Sequence, residues 1–201
     1  ALPIYRFITL TAIYGWKPGA RLPVPGINED DYKIATQVIL WEYQQQLRSD
    51  PYSRHGNGHA DANQYFSIIA GRPAEKAYNW ILSQVASHST VPSFTSTRKS
   101  EAPELELKWD TEKKIYTLTV TDTNNLNINL ETVKGSGVSV SRSGNKYTFT
   151  SKNMIMDPVT FEFRKDIPVA NDMLIWGRPG YQTMMTGASD PVSFFVKIKT
   201  E

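Results

Sequence analysis

No cysteine occurs in the 201 residues. Disulfides, thiolate metal sites and a cysteine nucleophile are therefore excluded for this chain. The absence assigns no compartment, because many exported bacterial proteins also avoid cysteine. An excess of one charge is missing too: 22 Lys and Arg face 20 Asp and Glu, which leaves +2. With no basic block and no acidic tail, neither nucleic-acid binding nor attraction to a membrane surface has electrostatic support. Long apolar runs are lacking. The opening stretch from Ala1 to Ile8 is broken by Pro3 and Arg6, so it is too short and too polar to span a bilayer. It also lacks the basic start and cleavage site of a signal peptide. The chain starts without Met, and we expect a piece of a longer precursor whose export signal lies outside it. No Gly-x-Ser-x-Gly elbow, phosphate-cradling glycine loop, fixed-period repeat or low-complexity tract is present.

What is there changes period halfway along. Phe7, Leu10, Ile13 and Tyr14 recur at helical spacing, and Gly15 marks a stop. A turn-rich stretch from Lys17 to Gly26 follows. Asn28 can then cap a second helix, with Asp31 three residues on as in a capping box and Glu29 and Asp30 favouring the positive end of the helix dipole. That helix carries Ile34, Val38, Trp41 and Leu47 and ends before Ser49-Asp50-Pro51. Tyr52 to Asp61 reads as a loop. A third helix begins near Pro73, with Ala74, Ala77, Ile81 and Val85 as its inner stripe. Ser87 to Pro103 is a connection. Beyond it the period becomes two: Leu105, Leu107, Trp109; Tyr116, Leu118, Val120; Leu126, Ile128, Leu130; Phe161, Phe163; Phe194, Val196, Ile198. Val138 and Val140 face Tyr147 and Phe149 across Ser143-Gly144-Asn145, a hairpin signal. These patterns predict an α+β chain. Residues 1–103 form a helical portion, and residues 104–201 form an antiparallel β-sandwich or barrel of the same composite domain.

Among candidate functional residues, Gln37 stands out. Residues three and four apart share a helix face, so Gln37 aligns with Ile34, Leu40 and Trp41 in a stretch that reads as buried. A buried carboxamide is costly unless its polar atoms find partners. Gln37 is therefore either a core hydrogen-bonder or a group kept dry for chemistry. His55 and His59 are four apart beside Asp61, a metal-ligand spacing on a helix, but Gly56 and Gly58 argue for a solvated loop. His88 reads as an isolated cation at a helix end. Glu29-Asp30-Asp31 lacks the alternating oxygens of a calcium loop and is explained by capping. No metal or cofactor is expected. The five Trp residues are spread over different elements. Most read as core, with a sugar-stacking platform as the other use.

The segment Ala35-Thr36-Gln37-Val38-Ile39-Leu40-Trp41 resembles the Thr-Gln-x-x-x-Trp helix motif of the thioester domains of Gram-positive surface proteins. Ala12-Ile13-Tyr14-Gly15-Trp16 is similar to the helix end and Gly-aromatic turn that precede that motif. The stretch from Tyr116 to Asp122 looks like a strand of these domains. Tyr181 to Gly187, followed by Asp190-Pro191-Val192, resembles their closing segment. The resemblance implies an internal thioester between a cysteine and Gln37, which would be the acyl donor. Thr36, Trp41, Tyr181 and Gln182 would position or shelter it. Its implied action is one covalent capture of a lysine or other amine on a host or cell-surface protein, without turnover and so not enzymatic. An extracellular, cell-wall or cell-surface location is implied as well. The chain departs from the pattern at the cysteine. Three explanations are open, that this residue precedes Ala1, that it was replaced, or that it is naturally absent, and we favour the first because residues 1–16 already resemble the helix beyond the cysteine-bearing strand. The alternative is a non-covalent carbohydrate- or protein-binding module on the same scaffold.

Overall fold

A computed structural model describes residues 3–165, 167, 174–176, 179–180, 184–186 and 190–201. In chain order the elements are α1 (Pro3–Tyr14), α2 (Glu29–Gln44), a 3-10 turn (Phe66–Ile68), α3 (Ala74–Ser87) and a second 3-10 turn (Lys99–Glu101). The strands follow: β1 (Glu104–Asp110), β2 (Ile115–Thr121), β3 (Leu130–Lys134), β4 (Ser139–Ser143), β5 (Lys146–Ser151), β6 (Val159–Lys165), β7 (Leu174–Trp176), β8 (Met184–Thr186) and β9 (Ser193–Thr200). The fold is α+β. The chain divides into two compact units, Ala1–His88 with Pro168–Asp190 and Ser89–Ile167 with Pro191–Glu201. The first of these, the helical unit, thus takes in the chain up to His88 and includes Asp190 as well.

In the helical unit, local chemistry sets the element ends. Asn28 Oδ1 accepts from the Asp31 N–H at 2.8 Å, and Asp31 Oδ2 accepts from the Asn28 N–H at 2.9 Å. These reciprocal bonds satisfy two of the donors that a helix start leaves open. α2 stops at Gln44, one turn earlier than the sequence pattern suggests, because Gln46 takes a left-handed conformation with φ 57°. Leu47 is still fully buried just past that turn. α3 starts right after Pro73 and buries Ala74, Ala77, Tyr78, Ile81, Leu82 and Val85 on one face. β7 and β8 pair antiparallel, Ile175 opposite Met185.

The second unit is one seven-stranded sheet in the order β3-β6-β9-β1-β2-β5-β4. Alternation places Leu105, Leu107, Tyr147, Phe149, Phe161, Phe163, Phe194, Val196 and Ile198 in a single apolar core. In a flat sheet β5 and β6, four strand spacings apart, would be separated by about 19 Å. Instead the rings of Phe149 on β5 and Phe163 on β6 are 6.3 Å apart. The sheet therefore curls into a nearly closed barrel around these aromatic side chains. It is not a sandwich, and not wholly antiparallel. β1 and β9 run parallel, with Leu105 opposite Ile198.

Two further expectations need correction. Leu126 and Ile128 do not form a strand, because Asn125 and Asn127 both take left-handed conformations with φ 52° and break the ladder before Leu130. That loop is held by the buried Asp122 carboxylate, which accepts from the backbone N–H groups of Ser93, Asn124 and Leu126. Trp109 is not core. It lies at the end of β1, 46% exposed, with its ring edge on Tyr116.

Because Phe149 meets both Phe94 and Phe163, Phe149→Ala should cost about 3–5 kcal/mol in denaturant unfolding. Thr119→Ala, on the exposed face of β2, removes only the cross-strand hydroxyl contact with Thr148 at 2.9 Å and should cost about 0.2–1 kcal/mol.

Candidate functional site

α2 is buried over most of its circumference: Tyr32, Ala35, Thr36, Val38, Ile39, Leu40, Glu42 and Tyr43 are all inside. The remaining stripe, Lys33, Ile34, Gln37, Trp41 and Gln44, is half-buried. Gln37 therefore lies at the boundary between the packed interior and water, not inside it. The apolar spacing identified a face, but Ile34 and Trp41 sit on the open side of it while Leu40 is fully buried. Among the described residues no hydrogen bond engages the Gln37 carboxamide. With respect to the described residues, both its donors and its acceptor remain available to water or to an incoming group.

Thr36 has its own structural task. It is 1% exposed. Its hydroxyl donates to the Tyr32 carbonyl at 2.8 Å and accepts from the Trp16 N–H at 2.8 Å. The second bond ties the turn after α1 to the middle of α2. That approach needs a glycine at position 15: a Cβ there would lie 2.4 Å from Thr36 Cγ2 and 2.6 Å from the Thr11 carbonyl. The Tyr32 hydroxyl adds a bond to the Tyr14 carbonyl on the same turn. Trp16 then spreads over the start of α2, its indole N–H on Glu29 at 3.1 Å and its ring beneath the Lys33 ammonium at 4.7 Å.

Trp41, one turn beyond Gln37, packs against Tyr65 with ring centroids 5.3 Å apart and planes tilted by 39°. Gln37 is thus placed one turn after Lys33, which lies over Trp16, and one turn before the Trp41–Tyr65 pair. Tyr181 and Gln182 lie outside the described residues. His55 and His59 are exposed on a loop, and among the described residues no group of three His, Cys, Asp or Glu could hold a metal. Glu29 and Asp30 face Lys33 at 3.4 and 3.7 Å.

The structure also holds buried polar groups that the sequence reading did not assemble. His88 is fully buried rather than an isolated cation. Its Nε2 lies 2.9 Å from the Asp190 carbonyl and its Nδ1 2.7 Å from the Tyr14 hydroxyl. A carbonyl only accepts, so in the neutral ring Nε2 carries the proton and Nδ1 accepts from Tyr14. A second network joins Glu42, Arg48 and Tyr78. Arg48 Nε donates to Glu42 at 2.9 Å, Arg48 Nη2 donates to the Tyr78 hydroxyl at 2.7 Å, and Tyr78 donates to Glu42 at 2.9 Å. Burial pushes the Glu42 carboxyl up, while Arg48 and Tyr78 pull it back. The mutual bonding satisfies charges that would otherwise be costly to bury. The available signal was Glu42 itself, three residues after Ile39 on the buried side of α2.

No family model and no curated protein matches the chain. Among solved structures it is similar to the thioester domain of the Staphylococcus aureus TIE protein, with a TM-score of 0.56 and 19% identity. That match spans 98% of this chain and 70% of the other. At this identity the likeness shows the fold, which is that of a thioester domain. Among the described residues no helix is long and apolar enough to cross a membrane.

Two outcomes follow from this packing. Gly15→Ala should destabilise the chain by about 1–3 kcal/mol in denaturant unfolding, because neither Thr36 nor the Thr11 carbonyl has room to yield. Burial raises Tyr14, Tyr32 and Tyr78 from 10.0 to about 12, with Asp190 adding to the shift at Tyr14 and Glu42 at Tyr78. Their folded-state values lie above the unfolded one, so the neutral form is favoured in the fold. That stability is fully present below pH 10 and is lost as pH rises toward about 12. In an alkaline titration the last part of the tyrosinate absorbance, contributed by these buried rings, should therefore rise together with the loss of helical circular dichroism.

Proposed function

We propose that this chain is the glutamine-bearing part of a thioester-type adhesin module, extracellular and displayed at a cell surface. In this reading Gln37 is the acyl donor, and the thiol comes from a cysteine outside these residues. The observation that carries the reading is the Gln37 carboxamide, half-buried and with no hydrogen-bond partner among the described residues, on a helix within a thioester-domain fold. The Thr36-Gln37-x-x-x-Trp41 pattern supports it further.

The chemistry balances without a cofactor. The thiol adds to the Gln37 carboxamide carbon, the C–N bond breaks, and ammonia leaves with the thiol proton. The resulting thioester is an activated acyl group with a good leaving group. An amine, such as a lysine on a host or cell-surface protein, then attacks the same carbon. The C–S bond breaks, an amide forms and the thiol regains a proton. One amide is made per molecule, so the module captures and does not turn over. Trp41 and Tyr65 limit water on one side of Gln37, and Trp16 and Lys33 lie toward the other.

The lack of cysteine in these residues favours a second reading for the chain taken alone, a non-covalent surface-binding module on the same scaffold. Intact-mass measurement on the longer natural protein separates the two. The covalent reading predicts a mass lighter than the sequence by one ammonia, gain of one methylamine on incubation with that amine, and full sequence mass for Gln37→Ala. A longer protein that has no cysteine, or one with a free cysteine and an unshifted mass, overturns it in favour of non-covalent binding.

A further inference from the structure

The Trp41–Tyr65 pair has surroundings that the capture chemistry does not use. Gln37 and Gln44 lie on the same face of α2 as Trp41, at helical spacings of four and three. Gln64 precedes Tyr65 and is exposed. None of these three side-chain amides makes a hydrogen bond among the described residues. Arg54 lies over Phe66 at 3.8 Å and also beside Tyr78, and among the described residues no cation lies over the Trp41 or Tyr65 ring. Among the described residues the patch therefore combines two half-buried aromatic rings with three amides that make no hydrogen bond, and none of these five side chains is charged.

We propose that Trp41 and Tyr65, with the amides of Gln37, Gln44 and Gln64, form a subsite for one saccharide ring of a glycan. The C–H bonds on one face of a sugar carry slight positive charge and suit the negative face of an indole or phenol ring. Sugar hydroxyls both donate and accept, as primary amides do, so planar amides at the rim match vicinal hydroxyls. A lysine ammonium fits less well. The only charged member of the stripe is Lys33, which repels it, and the carboxylates of Glu29 and Asp30 already face Lys33. A nucleic acid would need a basic surface that is absent here. The subsite does not require a thioester. Where one forms, the bound glycan would hold an acceptor beside Gln37.

The test is saturation-transfer NMR on the 201-residue chain with N-acetylglucosamine, galactose and mannose, and with lysine amide as the competing probe. The expected result is transfer to at least one sugar and none to lysine amide. Trp41→Ala and Tyr65→Ala should each weaken that sugar by about tenfold or more, Trp41→Phe should retain most of the binding, and Lys33→Ala should leave it unchanged. Unfolding midpoints identify any variant that fails to fold, and Trp41→Phe and Tyr65→Ala keep the test decisive if Trp41→Ala is such a case. Transfer to no sugar, transfer to lysine amide alone, or sugar binding that survives loss of both rings would overturn the proposal. The 201-residue chain holds no cysteine and forms no thioester, so sugar binding measured on it stands or falls separately from the covalent reading.

Discussion

The two hydrogen bonds of the Thr36 hydroxyl determine how α2 is seated. One runs back along the helix to Tyr32, and the other crosses to the backbone of Trp16. The crossing works only because residue 15 has no side chain. With the α1 turn locked against its middle, α2 has one way to present its open stripe. The buried side takes Tyr32, Ala35, Ile39, Glu42 and Tyr43, and the open side is left with Gln37 and Trp41. A threonine and a glycine that carry no chemistry thus decide where the glutamine points.

Elsewhere the same unit fixes its interior with polar bonds rather than apolar packing alone. Glu42, Arg48 and Tyr78 satisfy one another beneath α2 and α3. His88 joins the end of α3 to Tyr14 and to Asp190. Such groups tolerate substitution poorly, since removing one partner leaves another charged or polar atom buried and unpaired. The sheet unit relies on a different device, a curled sheet closed over phenylalanines. Gly135 serves it, because any Cβ there would lie within 2.2 Å of the Phe161 ring.

Local rules were legible in the sequence wherever one short stretch carried all the information. The Asn28–Asp31 box, the α3 stripe and the β4–β5 hairpin around Gly144 all appear at the expected positions. Features that depend on distant pairing were not legible. Nothing in the alternation of Leu105 and Leu107 says that β1 will run parallel to a strand at the other end of the unit. Nothing local buries His88, whose partners are residues 14 and 190. The site shows the same limit. Helical spacing put Gln37 on a face with Ile34, Leu40 and Trp41, but only tertiary packing decides which side of that face is covered.

The central claim is that Gln37 is held in place yet has no hydrogen-bond partner among the described residues. The most direct measurement is NMR exchange with water of the Gln37 side-chain amide protons, compared with the backbone amides of Val38 and Ile39. The account predicts fast side-chain exchange beside strongly protected backbone amides. Side-chain protons protected to the same degree as that backbone would mean the carboxamide is a sequestered structural hydrogen-bonder, and would contradict it.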